Sequence, residues 1–368
     1  MDRAAVEALA RANGFDRVRV ARVGPEAPDA AAFDRWLHAG HHATMGWMAQ
    51  HREARLDPST RLAGARSALV LSIAHHHRRP PDPGGLTGMV ARYAWGRDYH
   101  NLVGRRLRKL RRALDDAGVP SWGGVDSAPI LERAWARAAG TGFQGKNTLI
   151  ISPGRTSYFF LAVVFVPLDL APDAPVGDHC GRCTQCISGC PTRAFPSPWV
   201  LDANRCVSYW TIEADTMPPP ELRAGFGRWV FGCDVCQEVC PHNHHPDDPD
   251  EDDLLPRHAW LDLAATILTP DDQLVLRTTG TPLRRAAPRR LKRNALVVLG
   301  NLARTEAGLL GRDAALAAVR HALTHDAPVV RQAAVWASAR FDGGIPASDP
   351  DPHVAAEIRR CADTPPGL

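Results

Sequence analysis

Apolar positions along the first 170 residues of this chain switch between two periods. Runs at Arg17 to Val23, Ser67 to Ala74, Asn147 to Ser152 and Tyr158 to Val166 are β-branched or continuously apolar, which predicts sheet strands. Between them, Ala4 to Ala12, Ala31 to Ala39 and Leu102 to Ala117 repeat apolar residues at helical spacing. The longest apolar run, Tyr158 to Val166, stops at Pro167 and falls far short of the roughly 20 residues a membrane-spanning helix needs. It reads as a buried strand. After the cysteine-rich middle of the chain the pattern becomes helical. Arg293 to Gly300 and Arg331 to Ser338 resemble one another at an offset of 38 residues, close to the period of a HEAT-type helix pair.

Length and composition bound the architecture. With 368 residues and 45% apolar content, two or three domains are expected. Met1 to Phe15 alternates charged and apolar residues and lacks the continuous apolar core of a secretion signal, so export is not indicated and a reducing cytoplasm is expected. The net charge of +4 hides an uneven distribution: Thr281 to Arg340 carries eleven Lys or Arg against Glu306, Asp313 and Asp326. The flank Arg284, Arg285, Arg289, Arg290, Lys292 and Arg293 could follow a phosphate backbone, since neutralising phosphates releases counterions; the plainer reading is a solvated helix face. An acidic stretch, Asp247, Asp248, Asp250, Glu251, Asp252 and Asp253, reads as a solvated linker.

The cysteines carry the most specific chemistry. Seven of nine fall in Cys180-x2-Cys183-x2-Cys186-x3-Cys190-Pro191 and Cys233-x2-Cys236-x3-Cys240-Pro241, and an eighth, Cys206, lies between the two runs. That is the ligand pattern of two [4Fe-4S] clusters, in which three thiolates of one loop hold one cubane and the cysteine before proline reaches the other. Cys180, Cys183, Cys186 and Cys240 are expected to hold the first cluster. Cys190, Cys233 and Cys236 hold the second, with Cys206 the candidate eighth ligand. Cys361 is left without a partner. Zinc sites favour paired knuckles over such a run, and a disulfide framework does not crowd into so short a stretch of a long chain.

Other motifs are weaker. Gly140, Gly142 and Gly145 spell a dinucleotide fingerprint, but a helical pattern precedes them where a strand is required. Asp98-Tyr99-His100 with Gly104 approaches a histidine-ligated corrin motif, yet the glycine falls one residue late. Asp126, where a loop enters a helix, is most simply an N-cap and alternatively a catalytic acid.

Arg92 to His100, Val125-Asp126-Ser127, Gly140 to Asn147, Cys180 to Pro191, Leu201 to Tyr209 and Phe231 to Pro241 together resemble the epoxyqueuosine reductase family over nearly the whole chain. The resemblance implies an α+β fold. In it a nitroreductase/reductive-dehalogenase-like cobalamin domain (residues 1–170) precedes a ferredoxin-like module with two clusters (171–246), a connecting segment (247–280) and a C-terminal HEAT-like α-helical tail facing tRNA (281–368). It implies reduction of epoxyqueuosine to queuosine in the tRNA anticodon loop by cobalamin, with electrons passing from an external donor through the clusters and Asp126 as proton donor. Corrin contacts are implied at Arg55, Asp126, Lys146, Asn147, Ile150 and Leu161. Contacts to tRNA are implied at Ser208 and Tyr209, and the resemblance favours a tRNA-facing role for Arg289, Arg290, Lys292 and Arg293. A monomer without membrane attachment is expected. The rival readings are a reductive dehalogenase, which normally carries a twin-arginine export signal not visible here, and a ferredoxin-type carrier, which would not need the N-terminal domain.

Overall fold

The computed structural model describes residues 1–24, 27–244, 249 and 251–363. Asp247, Asp248 and Asp250 of the acidic stretch lie outside the described residues. Two compact units form, each assembled from separated stretches: Met1–Arg78, Arg97–Ala203 and Val235–Leu255 make the first, and Arg79–Gly96, Asn204–Asp234 and Pro256–Leu368 the second.

The first unit is built on a four-stranded antiparallel sheet in the order Arg17–Arg22, Ser67–Ala74, Phe159–Val166, Trp122–Gly124. The two central strands are the two continuous apolar runs, because a strand covered on both faces has no polar side to show. Helix Glu132–Ala138 seals one face, with Trp135 edge-on to Phe165 at 5.2 Å. Edge strand Trp122–Gly124 pairs closely through Gly123, where a Cβ would lie 2.1 Å from the Val163 carbonyl oxygen. Helices Arg3–Ala12, Ala30–His38 and Tyr99–Asp116 fall within a few residues of their predicted limits. The strand expected over Asn147 to Ser152 shrinks to Ile150–Ile151, paired with Phe143–Gln144. Residues 145–149 turn instead: Gly145 N–H reaches the Leu149 carbonyl at 2.8 Å, and Thr148 takes a φ of 68°. Glu251 and Asp253, read as linker, pair with Arg106 and with Arg97 (3.2 Å) on the helix side of this unit.

The second unit contains a sheet that local pattern did not reveal, in the order Trp229–Phe231, Thr87–Val90, Trp260–Asp262, with the first pair parallel. Its strands are three or four residues long and come from distant stretches, so no hydrophobic period marks them. The connecting segment forms helices Leu263–Leu268 and Asp271–Thr278. The two similar tail segments lie on helices Arg289–Leu302 and Pro328–Arg340, which pack against each other so closely that a Cβ at Gly300 would meet the Trp336 ring at 2.3 Å. Among the described residues no helix is long and apolar enough to cross a membrane.

Candidate active site and cluster-binding cavity

Asp126 sits in the loop between edge strand Trp122–Gly124 and helix Glu132–Ala138, and is not the helix N-cap that its position suggested. The helix begins six residues later with Leu131 at its N-cap, and Asp126 has a φ of 55°. Its loop closes on itself through a Ser127 N–H to Val125 carbonyl bond of 2.5 Å. A three-residue turn with positive φ at its centre is a rare, strained type, and aspartate tolerates it better than most residues. The turn leaves the carboxylate 56% exposed while Tyr99 O–H (2.6 Å) and His100 Nε2 (2.8 Å) both meet its Oδ2.

The partners of Asp126 come from the motif set aside in the sequence. Asp98 caps helix Tyr99–Asp116, accepting from His100 N–H, and its Oδ1 also lies 2.8 Å from His100 Nδ1. His100 is thus held between two carboxylates. Its hydrogen bonds to Asp126 and then Asp98 push its pKa up to about 9. Tyr99 is clamped between His100 (ring centroids 4.2 Å apart) and Phe160 (4.4 Å, 7° between planes). Phe160 stacks in turn on His75 at 4.4 Å.

Beside this loop, Arg55 on helix Arg52–Leu56 is only 8% exposed, and its guanidinium reaches the Gln50 and Trp47 carbonyls at 3.4 Å each. Burial lowers its pKa, against the pull of Glu132. Glu132 is itself half-buried over the whole residue, but its carboxyl end is enclosed. Burial pushes its pKa up to about 8, and Oε1 has no hydrogen-bond partner among the described residues. Burial thus favours the uncharged form of Glu132. A buried cation with only long hydrogen bonds and an orphaned carboxyl oxygen fit a large polar ligand carrying an anionic group.

The other residues that the resemblance assigns to a corrin make the following contacts within the chain. Lys146, buried, donates through Nζ to the carbonyls of Gly181 (2.7 Å) and Cys183 (2.9 Å), and its backbone N–H approaches Cys180 Sγ at 3.4 Å. Asn147 donates to the Cys236 carbonyl at 3.0 Å. Ile150 lies in the core beneath the sheet, and Leu161 packs against that core from Phe159–Val166. The turn after Gln144 thus holds both cysteine motifs.

Cys180, Cys183, Cys186 and Cys240 line one cavity of about 190 Å³ together with Lys146 and His242. Phe143 and Ile151 back Cys240 and Cys180 with apolar surface. Burial raises the pKa of the Cys180, Cys186 and Cys240 thiols. Four thiols around one cavity fit a group bound through four thiolates, whose metal charge would hold them deprotonated. Cys190 Sγ accepts from Ala194 N–H at 3.3 Å, as a ligand sulfur does in a folded loop. In the second unit Cys206 precedes helix Val207–Ile212, and Cys233 follows strand Trp229–Phe231. Cys361 packs among Val335, Val354 and Ile358, and burial pushes its thiol up to about 11. Replacing Lys146 with methionine removes two charge-assisted bonds to the cysteine loop, each worth about 1.5–3 kcal/mol. Iron loss to a chelator is expected to accelerate about tenfold or more; an unchanged rate would show that the ammonium does not secure the loop.

The predicted tRNA-facing residues separate sharply. Arg293 is fully buried and Lys292 is 2% exposed. The Arg293 guanidinium donates to the carbonyls of Ala214 (2.7 Å), Thr216 (2.5 Å) and Trp210, and Lys292 pairs with Asp271 at 2.6 Å. Neither charge is available to a phosphate in this fold, because each is already spent on chain groups that come from elsewhere in the second unit. Arg290 is likewise held by Asp215 and the Ile212 carbonyl, and Arg285 by Glu213. Arg284 and Arg289 remain exposed. Tyr209 is buried edge-on against Trp210, and Ser208 is half-buried.

An α+β fold with an acid-bearing strained loop and a four-thiol cavity defines an iron–sulfur oxidoreductase. A family model described as 4Fe-4S double cluster binding domain matches residues 179–243, and one described as Epoxyqueuosine reductase QueG, DUF1730 matches residues 55–127. An epoxyqueuosine reductase of Xanthomonas campestris pv. campestris is 40% identical over 350 residues, 92% of this chain and 95% of the relative. One from Synechococcus sp. (strain CC9605) is 41% identical over 301 residues, 79% of this chain and 92% of the relative. The crystal structure of epoxyqueuosine reductase with a tRNA-Tyr epoxyqueuosine-modified tRNA stem loop superposes with a TM-score of 0.87 at 27% identity, covering 97% of both chains. The chain belongs to the epoxyqueuosine reductase family.

Proposed function

We propose that this enzyme converts epoxyqueuosine to queuosine in the anticodon loop of tRNA, with Asp126 as the acid that protonates the departing oxygen. The observation that carries the acid assignment is the Asp126 carboxylate, presented to solvent on a strained turn and hydrogen-bonded by Tyr99 and His100. A Bacillus subtilis relative, 26% identical with a TM-score of 0.84, is described with an aspartate-bearing catalytic loop swung out of its active site, which supports assigning such a loop here. A bound tRNA stem loop in another relative supports the substrate class.

The overall change takes up two electrons and two protons, breaks both epoxide C–O bonds, forms the ring alkene and releases water. Cobalamin, when bound, supplies a low-valent cobalt that can deliver electrons to carbon. Arg55 and Glu132 are the residues that would hold its polar periphery. Asp126 supplies a proton where an alkoxide would otherwise have to leave, help worth about 10² to 10⁴ in rate. Cys180, Cys183, Cys186 and Cys240 hold one cluster, and Cys190, Cys206, Cys233 and Cys236 the second, on the path from an external reductant. The first 170 residues serve as the nitroreductase-like catalytic domain, and the helices from residue 281 as a HEAT-like tail. Within that tail the exposed Arg284 and Arg289 are the residues left to meet tRNA phosphates.

The test is mass spectrometry of nucleosides from epoxyqueuosine-containing tRNA incubated anaerobically with reconstituted protein, cobalamin and a strong reductant. Cobalamin-dependent loss of one oxygen is expected. Failure to convert it with both clusters intact and cobalamin bound would reject this substrate.

A further inference from the structure

We propose that the proton delivered by Asp126 is stored on His100, so that the acid of this site is the relay Asp98–His100–Asp126. The inference rests on the reading of Asp126 as the donor and goes beyond it by naming where the proton waits. A neutral imidazole has one N–H and can donate to one acceptor only. Here Nδ1 lies 2.8 Å from Asp98 Oδ1, and Nε2 lies 2.8 Å from Asp126 Oδ2. With both carboxylates ionised, contacts at hydrogen-bond distance on both ring nitrogens call for two N–H groups, which only the imidazolium has. Tyr99 O–H occupies the same Oδ2 at 2.6 Å, so in this arrangement Asp126 is an acceptor and the mobile proton belongs to the ring.

The surroundings hold this geometry in place. Asp98 is fixed as the helix cap, and the ring of His100 stacks on Tyr99, which Phe160 clamps from the sheet. The ionisable groups facing the relay are Asp98, Tyr99 and His100 on the helix and Asp126 on the loop. Glu132, from helix Glu132–Ala138, acts on Asp126, and His75 stands beyond Phe160 at the end of Ser67–Ala74. In the step, the proton passes from His100 Nε2 to Asp126 Oδ2 and on to the departing oxygen as its bond to carbon breaks. His100 is left neutral, with its remaining proton on Nδ1 toward Asp98, until solvent reloads it. No electrons move through the relay. It supplies one of the two protons the reduction consumes.

The test combines a pH profile with a direct titration. In reconstituted wild-type enzyme, kcat is expected to fall on the alkaline side near pH 9, where His100 loses its proton. In H100Q that limb is expected to move by several pH units toward the ordinary carboxyl range near about 4. At pH 8 kcat should then drop at least about tenfold, while KM for tRNA changes less than about threefold, within the small effect expected of a group that binds no substrate. Histidine-labelled holoenzyme, with H100Q used to assign the resonance, should show a histidine titrating near pH 9 that falls toward 6.5 in D126N. An unmoved limb in H100Q, or a His100 resonance titrating near 6.5 in the wild type, overturns the proposal. Retained turnover in D126N would instead sink the donor reading on which it rests, and the His100 resonance would still decide where the proton is held.

Discussion

Replacing Asp126 with asparagine is expected to lower kcat for epoxyqueuosine reduction by about 10²- to 10⁴-fold. The substitution is nearly isosteric, so the strained turn at φ 55° is retained; asparagine also tolerates left-handed backbone. The amide oxygen can still accept from Tyr99, but an amide cannot carry an acidic proton to a departing oxygen. Iron content should be unchanged, because the Asp126 carboxylate bonds to Tyr99 and His100 and the cluster cavity is lined by other residues. Single-turnover rates with intact clusters provide the measurement. Turnover within about threefold of wild type would remove Asp126 from the chemistry, since general-acid help of any substance exceeds that margin.

The same pair of contacts sets a pH dependence of stability. His100 has a folded pKa raised from 6.5 to about 9 by its bonds to Asp126 and Asp98. A raised folded pKa means the folded state binds the proton more tightly than the unfolded chain. The stabilisation is complete below about 6.5 and is lost as pH rises through about 9. D126N should remove much of that alkaline dependence, which thermal unfolding between pH 6 and pH 10 would reveal.

Replacing Cys240 with alanine is expected to abolish turnover and remove about half of the bound iron, since one of two four-iron clusters loses a ligand. Cys240 is the one member of its cavity drawn from the second cysteine motif, and Phe143 and Ile151 cover it with apolar side chains. Those side chains offer no substitute donor. A cluster left with three thiolates should be more labile to oxygen and chelator. Mössbauer spectroscopy of Cys240→Ala should show a single intact cubane. The same experiment on Cys206→Ala tests the second ligand set, and two undamaged clusters there would show that another group supplies the eighth ligand.

What could be read in advance divides along physical lines. Strands Ser67–Ala74 and Phe159–Val166 were legible because central strands are apolar throughout, and helix Tyr99–Asp116 because its stripe repeats at 3.6 residues. The cysteine spacing was legible because a short loop wrapping a cluster leaves few choices of step. The short strands Thr87–Val90, Trp229–Phe231 and Trp260–Asp262 were not, because each depends on partners about 140 to 175 residues away for its pairing.

The candidate site shows the same division. The sequence by itself determined which chemistry the chain can support: thiolates at cluster spacing, an acid in a loop, and basic residues concentrated in the tail. Only the tertiary structure decided which of those groups are available. Lys292 and Arg293 look like phosphate contacts in a one-dimensional charge pattern, yet chain groups from residues 210–216 and from Asp271 come to meet them inside the second unit. Asp126 gains Tyr99 and His100, 27 and 26 residues away, and Lys146 gains the cysteine loop about 35 residues on. A side chain's charge is local, whereas its partners are set by how distant segments pack, and it is the partners that decide whether a charge holds the fold together, holds a metal loop, or remains free to move a proton.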